Sequence, residues 1–172
     1  MRIYLTGYMG SGKSTIGKKL ANKLGFLFID LDSLIENKYR ITIPDIFNRY
    51  DEDAFRLVEH QTLQETFTYS NAIISTGGGT PCFYNNMELI NQNGLSVYIQ
   101  MHERSLYDRL INSKKKRPLL DDKSPEQIMA HIKKQMTERE PYYLQSKLVI
   151  KGESLDMNFL VELISMHMKK SD

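Results

Sequence analysis

Gly7-Tyr8-Met9-Gly10-Ser11-Gly12-Lys13-Ser14 is a glycine-rich octet of the form G-x-x-x-x-G-K-[ST]. It follows the apolar run Ile3-Tyr4-Leu5-Thr6 and leads into an amphipathic stretch from Lys13 to Leu24, so it reads as a strand, a phosphate loop and a helix. Glycines 7, 10 and 12 let the backbone approach an anion closely, and the following helix N-terminus turns its N–H groups toward it. Lys13 is placed to reach the β- and γ-phosphates of a nucleotide, and the Ser14 hydroxyl to ligate Mg²⁺.

Outward from the loop, short apolar runs alternate with longer amphipathic ones. Strands are expected at 3–6, 26–29, 72–75, 95–99 and 148–150, and helices at 13–24, 33–39, 54–67, 85–92, 105–111, 125–140 and 155–169. The strands are near-continuously apolar, as in a parallel sheet covered on both faces. Right-handed crossovers then predict an α/β three-layer sandwich around a five-stranded parallel sheet. Gly25 is expected to close the first helix, and Ser124-Pro125 to open a later one as N-cap and N1. Asn112 to Lys123 is polar, lysine-rich and contains Pro118; it reads as a solvated loop or a lid.

Composition narrows the class. A chain of 172 residues is the size of one domain, and 41% hydrophobic residues suffice for a core. A net charge of +2 argues for neither nucleic acid nor an acidic membrane surface as partner. No apolar run approaches the ~18 residues of a membrane span, and the N-terminal run is too short for a signal peptide. One cysteine, Cys82, permits no internal disulfide and suits a reducing, cytoplasmic setting. His60, His102, His131 and His167 lack metal-ligand spacing.

A second candidate feature is the acidic end of Phe26-Leu27-Phe28-Ile29-Asp30-Leu31-Asp32. At i and i+2, Asp30 and Asp32 are expected on one side of the strand at its carboxyl end, where ligand crevices of open sheets form. There a carboxylate holds Mg²⁺ through water or accepts a proton from a hydroxyl; alternatively, Asp32 simply caps the next helix.

In order and spacing the chain resembles the shikimate kinase family, of the nucleoside-monophosphate-kinase-like P-loop group. The resemblance covers nearly the whole sequence: Gly10-Ser11-Gly12-Lys13-Ser14-Thr15, Asp30-Leu31-Asp32, Phe55-Arg56-Leu57-Val58-Glu59, Ser75-Thr76-Gly77-Gly78-Gly79, Arg117-Pro118-Leu119-Leu120 and Arg139-Glu140-Pro141-Tyr142-Tyr143. It implies a P-loop kinase fold over 1–172, a mobile lid at about 112–123 and a substrate-binding helical region at about 32–68. It implies ATP and Mg²⁺ as cofactors, shikimate as small-molecule substrate, and a monomer.

The resemblance also assigns roles. Gly10, Ser11, Gly12, Lys13, Ser14 and Thr15 would bind ATP, with Ser14 and Asp30 at Mg²⁺. Asp32 would bind the reacting hydroxyl and act as general base; Arg56 and Arg139 would clamp the carboxylate, with Glu59 steadying Arg56; Gly77, Gly78 and Gly79 would contact shikimate. Arg117 would reach the ATP phosphates from the lid, and Arg109 is a candidate platform for the base. Without the resemblance, Arg56 and Glu59 read as a surface ion pair and the glycine triplet as a flexible turn. Other readings are a gluconate or nucleoside monophosphate kinase on the same scaffold, or a GTP-dependent switch. Against the switch, Asn22-Lys23-Leu24-Gly25 and Asn37-Lys38-Tyr39-Arg40 both lack the aspartate of N-K-x-D.

Overall fold

A computed structural model describes residues 1–113 and 124–169. Five parallel strands, β1 (Arg2–Thr6), β2 (Leu27–Asp30), β3 (Ala72–Ser75), β4 (Leu95–Gln100) and β5 (Leu148–Lys151), form one sheet in the order β2-β3-β1-β4-β5. Among the described residues eight α-helices connect and cover them: α1 (Lys13–Leu24), α2 (Leu31–Tyr39), α3 (Ile43–Arg49), α4 (Glu52–Glu65), α5 (Asn86–Asn93), α6 (Glu103–Ile111), α7 (Pro125–Tyr143) and α8 (Met157–Lys169). The expected three-layer sandwich is the observed one.

Alternation along the strands sorts the core into layers. Ile3, Leu5, Ile73, Val97 and Ile99 pack with Ile16, Leu20, Leu160 and Ile164 of α1 and α8. Tyr4, Ile29, Ala72 and Ile74 face the other way, against Ile35, Phe55, Leu63 and Ile90. A third cluster joins Tyr8 of the loop to α6 and α7 through Leu106, Leu110, Ile132, Met136 and Tyr143. Strands β1, β3 and β4 are covered on both faces, whereas the edges β2 and β5 expose Leu27 and Val149.

Three boundaries differ informatively from expectation. The second helix begins at Leu31 rather than Ser33, and its cap is Asp30, whose Oδ1 accepts from Ser33 N at 3.3 Å. Asp32 is therefore neither a strand residue nor a cap: it lies in the first helical turn, where a carboxylate favours the dipole. Helix α3 was not expected, although Thr42 caps it and Pro44 stands in its first turn. Finally, α7 runs through Pro141 instead of ending at Glu140. Proline there forfeits one helical hydrogen bond, but the continued turn buries Tyr143 completely against Tyr98. Packing outweighs the local penalty. Gly25 and Ser124-Pro125 act as expected, the latter in a full capping box with Gln127.

Candidate active site

The carboxyl ends of β1, β2 and β3 open into a cleft of about 410 Å³ lined by Lys13, Ser14, Thr15, Asp30, Asp32, Gly77, Gly78 and Arg109, among others. Helix α1 begins at Gly12 with no side-chain cap, as do α5 and α6, whereas α2, α3, α4 and α7 are capped by side chains. The first N–H groups of α1 thus face the cleft uncapped by a side chain, the arrangement that receives an anion. Gly12 has φ 97°, in the left-handed region that a side chain resists. Lys13, only 8% exposed, is folded over the loop, its Nζ donating to Gly7 O at 2.6 Å and Tyr8 O at 3.0 Å.

Ser14 Oγ donates to Asp30 Oδ2 at 2.7 Å and lies 3.3 Å from Ser75 Oγ. Two hydroxyls and one carboxylate are hard oxygen donors. Among the described residues no group of three or more His, Cys, Asp or Glu side chains gathers to hold a metal. That sparse oxygen set suits Mg²⁺, which keeps waters and phosphate oxygens as its remaining ligands. In the sequence Ser75 is only the head of the glycine motif, with no part at the metal. Its signal was position alone: the last residue of a strand adjoining β1.

The glycine triplet is the junction of the site. A Cβ on Gly77 would stand 2.7 Å from Glu59 Oε1 and 3.1 Å from Asp32 Oδ1. One on Gly78 would stand 3.3 Å from Met9 N and 3.7 Å from Arg139 Nη1. On Gly79 it would strike the Arg56 guanidinium, with Nη1 at 2.6 Å. Side chains are excluded at 77 and 79 and crowded at 78, because functional elements approach the backbone closely here. Asp32, Arg56, Arg139 and the phosphate loop, distant in sequence, all border one short turn.

Arg56 is not a surface ion pair. It is 8% exposed and Glu59 1%. Arg56 Nη1 donates to Glu59 Oε2 at 2.9 Å, while Nη2 and Nε donate to Glu52 Oε1 at 3.0 and 3.2 Å. Those bonds use three of the five guanidinium N–H groups and fix its plane from two sides along one helix. Phe83 lies across the face, 4.0 Å from ring centroid to Cζ. Thr80 Oγ1 donates to the other Glu59 oxygen at 2.5 Å, so the buried carboxylate is satisfied. Glu52, Thr80 and Phe83 were missed in the sequence; only Glu52 announced itself, as the i−4 neighbour of Arg56.

Arg139 lies over the Tyr8 ring, with its Cζ 5.8 Å from the centroid. Arg109 Nη1 donates to Ser11 O at 3.2 Å, placing that cation on the outer side of the phosphate loop. Cys82 lies near Arg139, Arg56 and Glu59, and burial pushes its thiol up to about 11 despite both arginines. It is a packed, protonated thiol. Arg117, the expected lid arginine, and residues 114–123 lie outside the described residues.

An open parallel sheet, a phosphate loop at the end of its first strand, and a cationic pocket across a glycine turn define a P-loop phosphotransferase acting on a small molecule. A family model described as shikimate kinase matches residues 9–167. The shikimate kinase of Azobacteroides pseudotrichonymphae is 48% identical over 162 residues, covering 94% of this chain and 95% of that protein. The chain belongs to the shikimate kinase family. A crystal structure of shikimate kinase from Bacteroides thetaiotaomicron, 38% identical, matches with a TM-score of 0.91 over 98% of each chain. Shikimate kinase from Acinetobacter baumannii in complex with shikimate, 32% identical, matches with a TM-score of 0.83 over 99% of this chain and 94% of that one.

Proposed function

We propose that the protein transfers the γ-phosphoryl group of MgATP to a ring hydroxyl of shikimate, giving shikimate 3-phosphate and ADP in aromatic amino-acid biosynthesis. The observation that carries the reading is the glycine turn, with Asp32 beside Gly77, Arg139 beside Gly78 and Arg56 beside Gly79. A hydroxylated carboxylic acid needs a hydroxyl acceptor and planar cations a few ångströms apart, and this turn sets that spacing.

In this reading Arg56 presents the carboxylate with the N–H groups of Nη1 and Nη2 that Glu52 and Glu59 leave over. Arg139 closes the clamp from α7. Asp32 accepts the proton of the attacking hydroxyl. Lys13 and the N–H groups of the phosphate loop hold the transferring group in line and spread its charge. Ser14 and Asp30 would hold Mg²⁺, which when bound neutralises charge on the β- and γ-phosphates. Arg109 flanks the nucleotide, and Arg117 supplies positive charge to the phosphates. The enzyme acts as a cytoplasmic monomer with no nucleic-acid or membrane partner; no helix among the described residues is long and apolar enough to cross a membrane.

A coupled ADP-release assay over shikimate, quinate, gluconate and nucleoside monophosphates tests the proposal. Shikimate should be turned over with the highest kcat/KM. Efficient turnover of a nucleoside monophosphate with none of shikimate would overturn it.

A further inference from the structure

Helix α7 touches the glycine turn at two places. One is Arg139, whose Nη1 lies 3.7 Å from where a Cβ on Gly78 would stand. The other is Tyr143, one turn further along the same face, whose hydroxyl donates to Gly78 O at 2.5 Å. Tyr143 is 0% exposed, its ring tilted against that of Tyr98 at 5.1 Å between centroids, and the Arg139 guanidinium lies near enough to favour its phenolate while burial opposes it more strongly. Burial raises its pKa far above the ordinary phenol value, so the hydroxyl remains a donor at any working pH.

A single buried phenol therefore ties the carbonyl of the central glycine to the helix that carries Arg139 one turn earlier. The link has a directional consequence. In a trans peptide the carbonyl and the following N–H point opposite ways. Drawing Gly78 C=O to Tyr143 turns the Gly79 N–H away from α7 and fixes the peptide plane in a segment with no side chains to hold it. Meanwhile Arg139, four residues before Tyr143, is kept on the same face by the helix that continues through Pro141.

We propose that Tyr143 is a positioning residue for the acceptor site. It holds the glycine turn and Arg139 in mutual register, so that substrate carboxylate and reacting hydroxyl are presented together. This rests on the shikimate reading above and adds a residue to it. The continuation of α7 past a proline is then the device that delivers the phenol: a helix ending at Glu140 would leave Gly78 without its tether.

The test is Tyr143→Phe, which keeps the ring against Tyr98 and removes only the hydroxyl. Shikimate affinity of the parent protein is measured first, by calorimetry; failure of the parent to bind shikimate sinks the functional reading itself. Given parent binding, Tyr143→Phe should raise the Kd and KM for shikimate about tenfold, the worth of one buried hydrogen bond. The Kd for ADP should stay within twofold, as should shikimate affinity in the control Tyr98→Phe, whose hydroxyl serves Glu140 instead. Equal losses for ADP and shikimate, or no loss for shikimate, would overturn the proposal. A second measurement needs no variant. With ¹³C at tyrosine Cζ in the parent protein, the Tyr143 resonance should shift on adding shikimate and not on adding ADP. A resonance indifferent to shikimate would refute the positioning role even if Tyr143→Phe failed to fold.

Discussion

Arg56 illustrates how a residue becomes specific by being surrounded. Its plane is set edge-on by Glu52 and Glu59 and face-on by Phe83, and its approach to the turn is possible only because position 79 is glycine. Arg56→Ala should lower kcat/KM for shikimate by the equivalent of about 2–5 kcal/mol, since it strands both the substrate anion and Glu59. Arg56→Lys should recover only part of this, because an ammonium cannot share itself between two carboxylates and a ligand as a fork does. The KM for MgATP should hold in both. Asp32→Asn should act differently, lowering kcat by roughly 10²–10⁴ while shikimate affinity changes little. A loss in Asp32→Asn confined to KM would remove the base assignment. Cys82 offers an independent probe of the same pocket. Raising the thiol from 9.0 to about 11 leaves about a hundredth of the ordinary thiolate at pH 8. The greater nucleophilicity of a more basic thiolate returns roughly a factor of ten. Alkylation by iodoacetamide should therefore run at least about tenfold slower than for free cysteine, and slower again with shikimate bound; a rate equal to that of a free thiol would mean the pocket opens readily.

At the scale of elements, the turn after β3 does more than cross the cleft. Beyond the glycines, Phe83 stacks on Arg56 and Tyr84 on His60, two positions one turn apart on α4. Tyr84 pays for that divergence with φ 50°, a strained conformation for an aromatic residue. Asn86, fully buried, donates to Thr80 O at 2.8 Å and pairs with His60 Nδ1 at 2.5 Å. Asn86→Ala should cost about 1–3 kcal/mol of stability by leaving the Thr80 carbonyl buried and unmet. It should also weaken shikimate binding more than ADP binding, as urea titration and calorimetry would show. An unchanged midpoint would mean the asparagine is incidental. Much of this level was legible in advance. Period and length placed all five strands within a residue or two, and seven helices, because short apolar runs and amphipathic periods are written locally. Helix α3 was passed over although Thr42-Ile43-Pro44-Asp45 carries a cap signal, since seven residues are too few for periodicity to speak. Arg56, Arg139 and the glycine turn stood out only through the family resemblance; local pattern alone gave a surface ion pair and a flexible turn. Phe83, Thr80, Asn86 and Tyr143 were not assigned roles, because their meaning lies in partners up to 65 residues away, which no local pattern encodes.

Taken whole, the molecule places two binding regions on either side of one short turn. The phosphate loop and Ser14 belong to β1 and α1, which are bedded in the core with α8. Arg56 and Asp32 belong to α4 and α2, which pack on the opposite face of the sheet around Ile35, Phe55 and Leu63. On the proposed reading, Arg56 and Asp32 thus rest on a different layer from the nucleotide side and meet it at residues 77–79, while Arg139 comes from α7, which packs against Tyr8 of the phosphate loop. That separation has a thermodynamic signature. A ligand at a hundred times its Kd stabilises the native state by about 2.7 kcal/mol, which for a domain of this size raises Tm by about 5–10 °C. Shikimate and ADP should each produce such a shift in the parent protein, and their joint shift should be near the sum. Arg56→Ala should cut the shikimate shift to about a third or less and keep the ADP shift; Lys13→Ala should do the reverse, with an unchanged circular dichroism spectrum in both. Differential scanning calorimetry on the three proteins decides it. If Arg56→Ala erased both shifts together, the two regions would not be separable. The clamp would then be part of the support of the phosphate loop, and the division of labour across the glycine turn would fail.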